Sequence, residues 1–169
     1  MKKILMISQI GTHPPYAGNA QRISSIAHAL KQQGHDVYFL FQPFSPMKPS
    51  GETIAYWGDR FIDGQTFGAA ARTVSGVPLI EKATHKGNLP LDALYPEHLD
   101  GVLKTLQRRT RFDVVLVELA VYSRALCQFS PETLCIIDTQ DRYTDRYKIL
   151  EGLSYGCAKD APPWPWGQI

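Results

Sequence analysis

The chain has 169 residues and a mass of 19.0 kDa, about one domain of polypeptide, with 44% hydrophobic and 20% charged residues. Eighteen basic against sixteen acidic residues leave a formal net charge of +2, which excludes a strong global field for nucleic acid or for an anionic membrane. Twelve prolines and thirteen glycines point to long loops but are too dispersed for a collagenous or disordered chain. Cys127, Cys135 and Cys157 are odd in number and lack paired spacing. That argues against a disulfide framework and a zinc site, and predicts thiols packed as small apolar groups in a reducing compartment. Behind Lys2-Lys3 the apolar run covers only Ile4 to Ile7, too short for the core of a secretory signal. No run of about 18 apolar residues follows, so a cytoplasmic protein without a transmembrane segment is expected.

Ile4 to Ile7 reads as a strand buried on both faces, as in a parallel sheet. The loop Ser8–Gly18 follows, with Asn19 as the expected N-cap of a helix whose apolar face is Ile23, Ile26, Ala27 and Leu30. Gly34 stands where a glycine ends a helix, and Val37–Phe41 is the next strand, completing a βαβ unit. Pro43, Pro46 and Pro49 mark a loop, and Thr53–Trp57 reads as a strand. From Gly58 to Leu91 the periodicity is poor, and the stretch reads as an irregular insertion over one end of the sheet. Pro96 opens a helix with Leu99, Val102, Leu103 and Leu106 on one face and Arg108, Arg109 and Arg111 at its end. These arginines read as helix-terminal charges in water or as a basic patch at a membrane surface. Phe112–Glu118 is a buried strand, Tyr122–Phe129 a short helix, Leu134–Asp138 another buried strand, and a helix capped by Thr139 or Asp141 runs through Tyr147 and Leu150. The sum is an α/β fold with an open, doubly wound, mostly parallel Rossmann-like sheet over residues 1–156. A Pro/Trp-rich tail with Trp164 and Trp166 occupies 157–169.

In such sheets ligands bind at the carboxyl ends of strands, near the point where strand order switches. That rule selects the Gly11–Asn19 loop, the loop from Pro43, the turn from Glu118 to Tyr122, and Asp138–Arg142. The first loop precedes a helix N-terminus, which attracts anions. It nevertheless carries neither Gly-x-Gly-x-x-Gly nor a Walker loop, and the second strand ends in Phe41-Gln42 without a carboxylate for a nucleotide ribose, which disfavours a nicotinamide cofactor. Its glycines read equally as devices for a tight loop. Asp138, Asp141 and Asp145 lie beside Arg142 and Arg146. Carboxylates there either position and deprotonate a hydroxyl or serve as helix caps and surface ion pairs. Glu118 carries the same two readings. Among the five histidines, none at metal-ligand spacing, His13 is singled out by lying in the candidate ligand loop, and His28 belongs to an ordinary helix face.

Lys3-Ile4-Leu5-Met6-Ile7, Pro14-Pro15-Tyr16-Ala17-Gly18-Asn19, Arg22, Leu30 and Gly34-His35-Asp36-Val37 resemble the start of a GT-B glycosyltransferase of the retaining, nucleotide-sugar-dependent group 4 (group 1-like) type. Phe112-Asp113-Val114-Val115 and Ile137-Asp138-Thr139-Gln140-Asp141 resemble later strands of the same N-terminal domain. The resemblance covers about residues 1–45 and 111–150. It implies an acceptor-side domain facing a second Rossmann-like domain that holds most of the nucleotide-sugar donor site, with no metal and no cofactor beyond the donor substrate. Gly11, His13, Gly18 and Asn19 would then line the donor side. Glu118, Tyr122, Gln140, Asp141 and Arg142 would face the transferred sugar or the acceptor, with Asp138 and Asp141 as the candidate catalytic carboxylates. Two positions depart from the family pattern: Asn19 stands where a second glycine is usual, and Gln140 where a histidine is frequent.

The resemblance further implies a glycan or lipid-linked acceptor in cell-surface glycan assembly and a cytoplasmic protein peripheral to the inner face of a membrane. The missing half would be a C-terminal domain or a second chain, and residues 1–169 alone are expected to transfer sugar very poorly. The alternative is a non-catalytic Rossmann-like module that binds a small molecule or a partner.

Overall fold

In the computed structural model, residues 1–44, 47–67 and 95–139 are described. Strands β1 (Lys3–Ser8), β2 (Asp36–Phe41), β3 (Phe61–Asp63), β4 (Val114–Glu118) and β5 (Leu134–Asp138) form one five-stranded sheet. Its order is β3-β2-β1-β4-β5, and every pairing is parallel. The chain builds outward from β1 through β2 to β3, then returns to the other side of β1 for β4 and β5. The strand order therefore switches between β1 and β4, as in Rossmann-like sheets.

Alternation along β1 explains the layers. Ile4 and Met6 point to one face, where Val37, Phe39 and Phe41 of β2 meet Ile23 and Ala27 of helix α1 (Gly18–Gln32) and Trp57 of helix α2 (Gly51–Trp57). Leu5 and Ile7 point to the other face, where Val115 and Val117 of β4 meet Leu99, Val102, Leu103 and Leu106 of helix α3 (His98–Arg109). The apolar stripe read for α3 is thus wholly buried. The stripe of α1 is buried at Ile23 and Ala27 and half-buried at Ile26 and Leu30.

The end of α1 follows the expected glycine rule. Gly34 has φ +79°, its amide donates to the Lys31 carbonyl at 3.0 Å, and the His35 amide donates to the Leu30 carbonyl at 3.2 Å. This pair of bonds satisfies carbonyls that the helix leaves open.

Four expectations are corrected. Asn19 is not the N-cap of α1: Ala17 holds that position without a side-chain bond, and the Asn19 Oδ1 accepts from the adjacent Ala20 amide at 2.9 Å. Residues Thr53–Trp57 belong to α2, not to a strand, because the Ser50 hydroxyl accepts from the Thr53 amide at 3.0 Å and starts a helix after Pro49. The short helix expected after β4 is present as a 3-10 helix over Ala120–Gln128. β5 is not buried: among the described residues it has a neighbour strand only in β4, and Leu134 is 58% exposed. Cys127 and Cys135 are exposed free thiols and not packed core groups. The short β3 lies in the stretch read as an irregular insertion. The helix expected through Tyr147 and Leu150, most of that insertion, Cys157 and the tail 157–169 lie outside the described residues.

The two glycines that flank α1 differ in what they demand. An added Cβ at Gly18 meets nothing within 4 Å, whereas Gly34 has the left-handed backbone that side chains resist. Gly34→Ala is expected to lower unfolding free energy by about 1 kcal/mol, and Gly18→Ala to change it by less than about 0.5 kcal/mol, measured by urea denaturation.

Candidate functional site

Polar side chains that leave water need a reason, because burial without partners costs free energy. Among the described residues the buried polar side chains are Ser8, Gln9, Thr12, Gln42, Thr53 and Glu118. Five of them sit at or just beyond the carboxyl ends of β1, β2 and β4, and the sixth, Thr53, belongs to α2, which packs on the loop after β1. The sheet therefore concentrates its buried polarity at the rim where parallel α/β sheets bind ligands. Glu118 ends β4 at the switch point, with no exposed surface. The Gln9 Oε1 is buried and has no hydrogen-bond partner among the described residues.

The backbone beside Glu118 is held in an uncommon shape. Leu119 has φ +83° and ψ 139°, a region that costs a non-glycine residue of order 1–3 kcal/mol. Its amide donates to the Asp138 carbonyl at 2.8 Å and its side chain is buried, so β5 and the core hold it there. Across the same rim, the Arg22 Nη2 donates to both carboxylate oxygens of Asp138, at 2.9 and 2.8 Å. This ion pair joins the first turns of α1 to the end of β5. Asp138 thus anchors α1.

The loop after β1 is clamped onto α2. The Thr53 Oγ1 accepts from the His13 amide at 2.9 Å and donates to the His13 carbonyl at 2.8 Å, and the Ser50 hydroxyl also donates to that carbonyl. The Trp57 indole donates to the Thr12 Oγ1 at 2.7 Å. Gly11 belongs to this clamp: a Cβ there would lie 2.8 Å from the Thr53 Oγ1. Its missing side chain makes room for α2, which is a tight-packing role for a glycine placed on the donor side by resemblance. Gly18, by contrast, opens onto free space at the start of α1, whose first turn carries no acidic residue.

The loop after β2 is organised by Gln42. Its amide donates to the Ser8 carbonyl at 2.8 Å, its Oε1 lies 3.1 Å from the His98 Nε2, and its carbonyl accepts from the Tyr122 hydroxyl. Burial pushes the His98 imidazole below its ordinary range, so the ring is neutral and its Nε2–H donates to the Gln42 oxygen. Tyr122 has no exposed surface, and burial raises its hydroxyl well above the usual tyrosine range. It stays a phenol that braces the rim from the core.

The structure therefore brings together His13, Gly11, Glu118 and Asp138 at one end of the sheet, with Gly18 and Asn19 at the start of α1. Gln140, Asp141 and Arg142 lie outside the described residues. Sequence reasoning missed Gln9, Gln42, Ser50, Thr53 and His98. Only Ser50 carried a local signal, a serine after Pro49 and three residues before the amide that it caps.

Comparison of the chain with protein-family models, with curated proteins and with solved structures found no match. Among the described residues no group of three or more histidine, cysteine or acidic side chains could hold a metal ion, and no helix is long and apolar enough to cross a membrane.

The clamp predicts non-additive mutations. Gly11→Ala should destabilise by about 1–3 kcal/mol through overlap with a Thr53 hydroxyl that its hydrogen bonds hold in place. In Thr53→Ala that overlap is gone, so the double variant should be more stable than the sum of the singles predicts, by about 1 kcal/mol in a urea double-mutant cycle.

Proposed function

We propose that this chain is the acceptor-side domain of a GT-B glycosyltransferase that moves a sugar from a nucleotide-sugar donor to a hydroxyl acceptor. The observation that supports the reading most is the gathering of buried polar side chains at the carboxyl rim, with Glu118 at the switch between β1 and β4. Of the motifs that resemble this family, Pro14–Asn19 and Ile137–Asp138–Thr139 lie at this rim, whereas Lys3, Gly34–Val37 and Phe112–Asp113 lie at the other end of the same strands.

In this reading the chemistry divides by position. A carboxylate enclosed at a strand end accepts hydrogen bonds from a hydroxyl and orients its lone pair toward the sugar's anomeric carbon. Glu118 takes that role, with the Gln9 amide oxygen as a second acceptor. The open N-terminus of α1, beside Gly18, faces the phosphates of the donor. Arg22 keeps that end of α1 at a fixed height over β5 through Asp138. The nucleotide's own pocket belongs to a second α/β domain, on this chain or another.

Calorimetric titration with methyl glycosides of the common hexoses, with UDP-glucose and with GDP-mannose tests the reading. At least one glycoside or sugar nucleotide should bind, and Glu118→Gln should weaken it at least about tenfold, or 1.4 kcal/mol. Binding that the substitution leaves unchanged, or stabilisation by NAD or NADP in place of sugars, would turn the assignment toward a different Rossmann-like binding module.

A further inference from the structure

His13 sits in the rim loop, where its ring meets two hydroxyls and the face of Tyr56. The Trp57 indole N–H can only donate, so the Thr12 Oγ1 receives it at 2.7 Å. That hydroxyl also lies 2.9 Å from the His13 Nδ1, and the other ring nitrogen, Nε2, lies 3.4 Å from the Ser24 Oγ of α1. Thr12 has no exposed surface, so a change of protonation at Nδ1 must be met by this one hydroxyl, already engaged by Trp57.

The nearest charge disfavours an added proton on the ring. His13 stacks on Tyr56 of α2 with ring centroids 3.8 Å apart. The Lys31 ammonium of α1 already lies over that Tyr56 ring at 4.2 Å and over Trp57 at 3.9 Å. A second cation on Tyr56 would gain some attraction from the ring but would face Lys31 across it. Thr12, Ser24, Ser50 and Thr53, the other groups that hydrogen-bond residue 13, are uncharged hydroxyls, and no carboxylate among the described residues hydrogen-bonds the imidazole. Burial first, and Lys31 second, hold the imidazole below its ordinary value of 6.5.

We propose that His13 is an acid-sensitive latch: protonation of its ring releases the loop around residues 11–16 from Ser50 and Thr53 of α2 and so opens the carboxyl rim. The sign follows from linkage. A histidine whose folded value is depressed lends stability above about pH 6.5, and that stability drains away as pH falls toward the folded value. The released loop binds the proton with an ordinary histidine's affinity. Each pH unit below 6.5 therefore raises the opening equilibrium by at most about tenfold. The inference concerns the loop itself and stands whichever ligand the rim takes.

Hydrogen exchange reads the latch directly, because the amides of His13 and Thr53 donate to Thr53 and Ser50 hydroxyls within it. Protection factors, corrected for intrinsic exchange, should fall for these two amides between pH 7.5 and 5.5, while the amide of Ile7 in β1 holds constant. His13→Gln keeps a hydrogen-bonding side chain but cannot titrate, and should abolish the pH dependence. His98→Gln should leave it intact, which separates the latch from the other depressed histidine. Should the His13 variant fail to fold, Lys31→Met serves instead and should shrink the pH dependence. Protection at His13 that is flat with pH in the unaltered chain, or an unchanged slope in His13→Gln or Lys31→Met, overturns the proposal.

Discussion

The structure depends on one constraint: a parallel sheet covered on both faces can hold polar chemistry only at its ends. α1 and α2 cover one face and α3 the other, so β1 is apolar from Ile4 through Ile7 and changes character abruptly at Ser8 and Gln9. The same change occurs at Gln42 after β2 and at Glu118 closing β4. Because β1 and β4 are adjacent while their following segments leave toward opposite faces, these polar ends gather where parallel α/β sheets form their binding crevice. The location of the candidate site is a consequence of topology before any particular side chain is considered.

Holding such a rim requires that nearly every buried polar group find a partner. Thr53 is bonded to both backbone groups of His13, Thr12 to Trp57, and Gln42 to Ser8, His98 and Tyr122. These bonds tie the loops after β1 and β2 to α2, α3 and the 3-10 segment, so the loops are supported from outside the sheet. Against that background stand the strained Leu119 and the Gln9 oxygen, which has no partner among the described residues. Both lie beside the switch point, where a site for a hydroxyl ligand would use an acceptor already stripped of water.

Much of the sheet was legible because continuous apolar runs and i, i+3, i+4, i+7 stripes are local signals. The runs in β1, β2 and β4 and the stripes in α1 and α3 needed no tertiary information. α2 was misread because Thr53, Ile54, Tyr56 and Trp57 are favoured in strands, and a single serine cap together with contacts to His13 outweighs that preference. β3 has three residues and no pattern to detect. At the site, Glu118, Asp138 and His13 were reachable from strand ends and loop position. The partners that give them meaning were not, since His13 meets Thr53 across 40 positions and Gln42 meets His98 across 56. Gly11 shows the same limit: a glycine in a ligand loop reads as phosphate-binding until the atom that fills its empty space is known to be a threonine hydroxyl of α2.

The central claim is that ligand binds at the carboxyl rim, over the switch between β1 and β4. The most direct measurement is a map of backbone amide chemical shifts during titration with UDP-glucose and with methyl glycosides. The account predicts shifts concentrated at Gln9–Ala20, Gln42 and Glu118–Ala120. Shifts gathered instead at the opposite end of the sheet, around Lys2, His35 and Asp113, would contradict it.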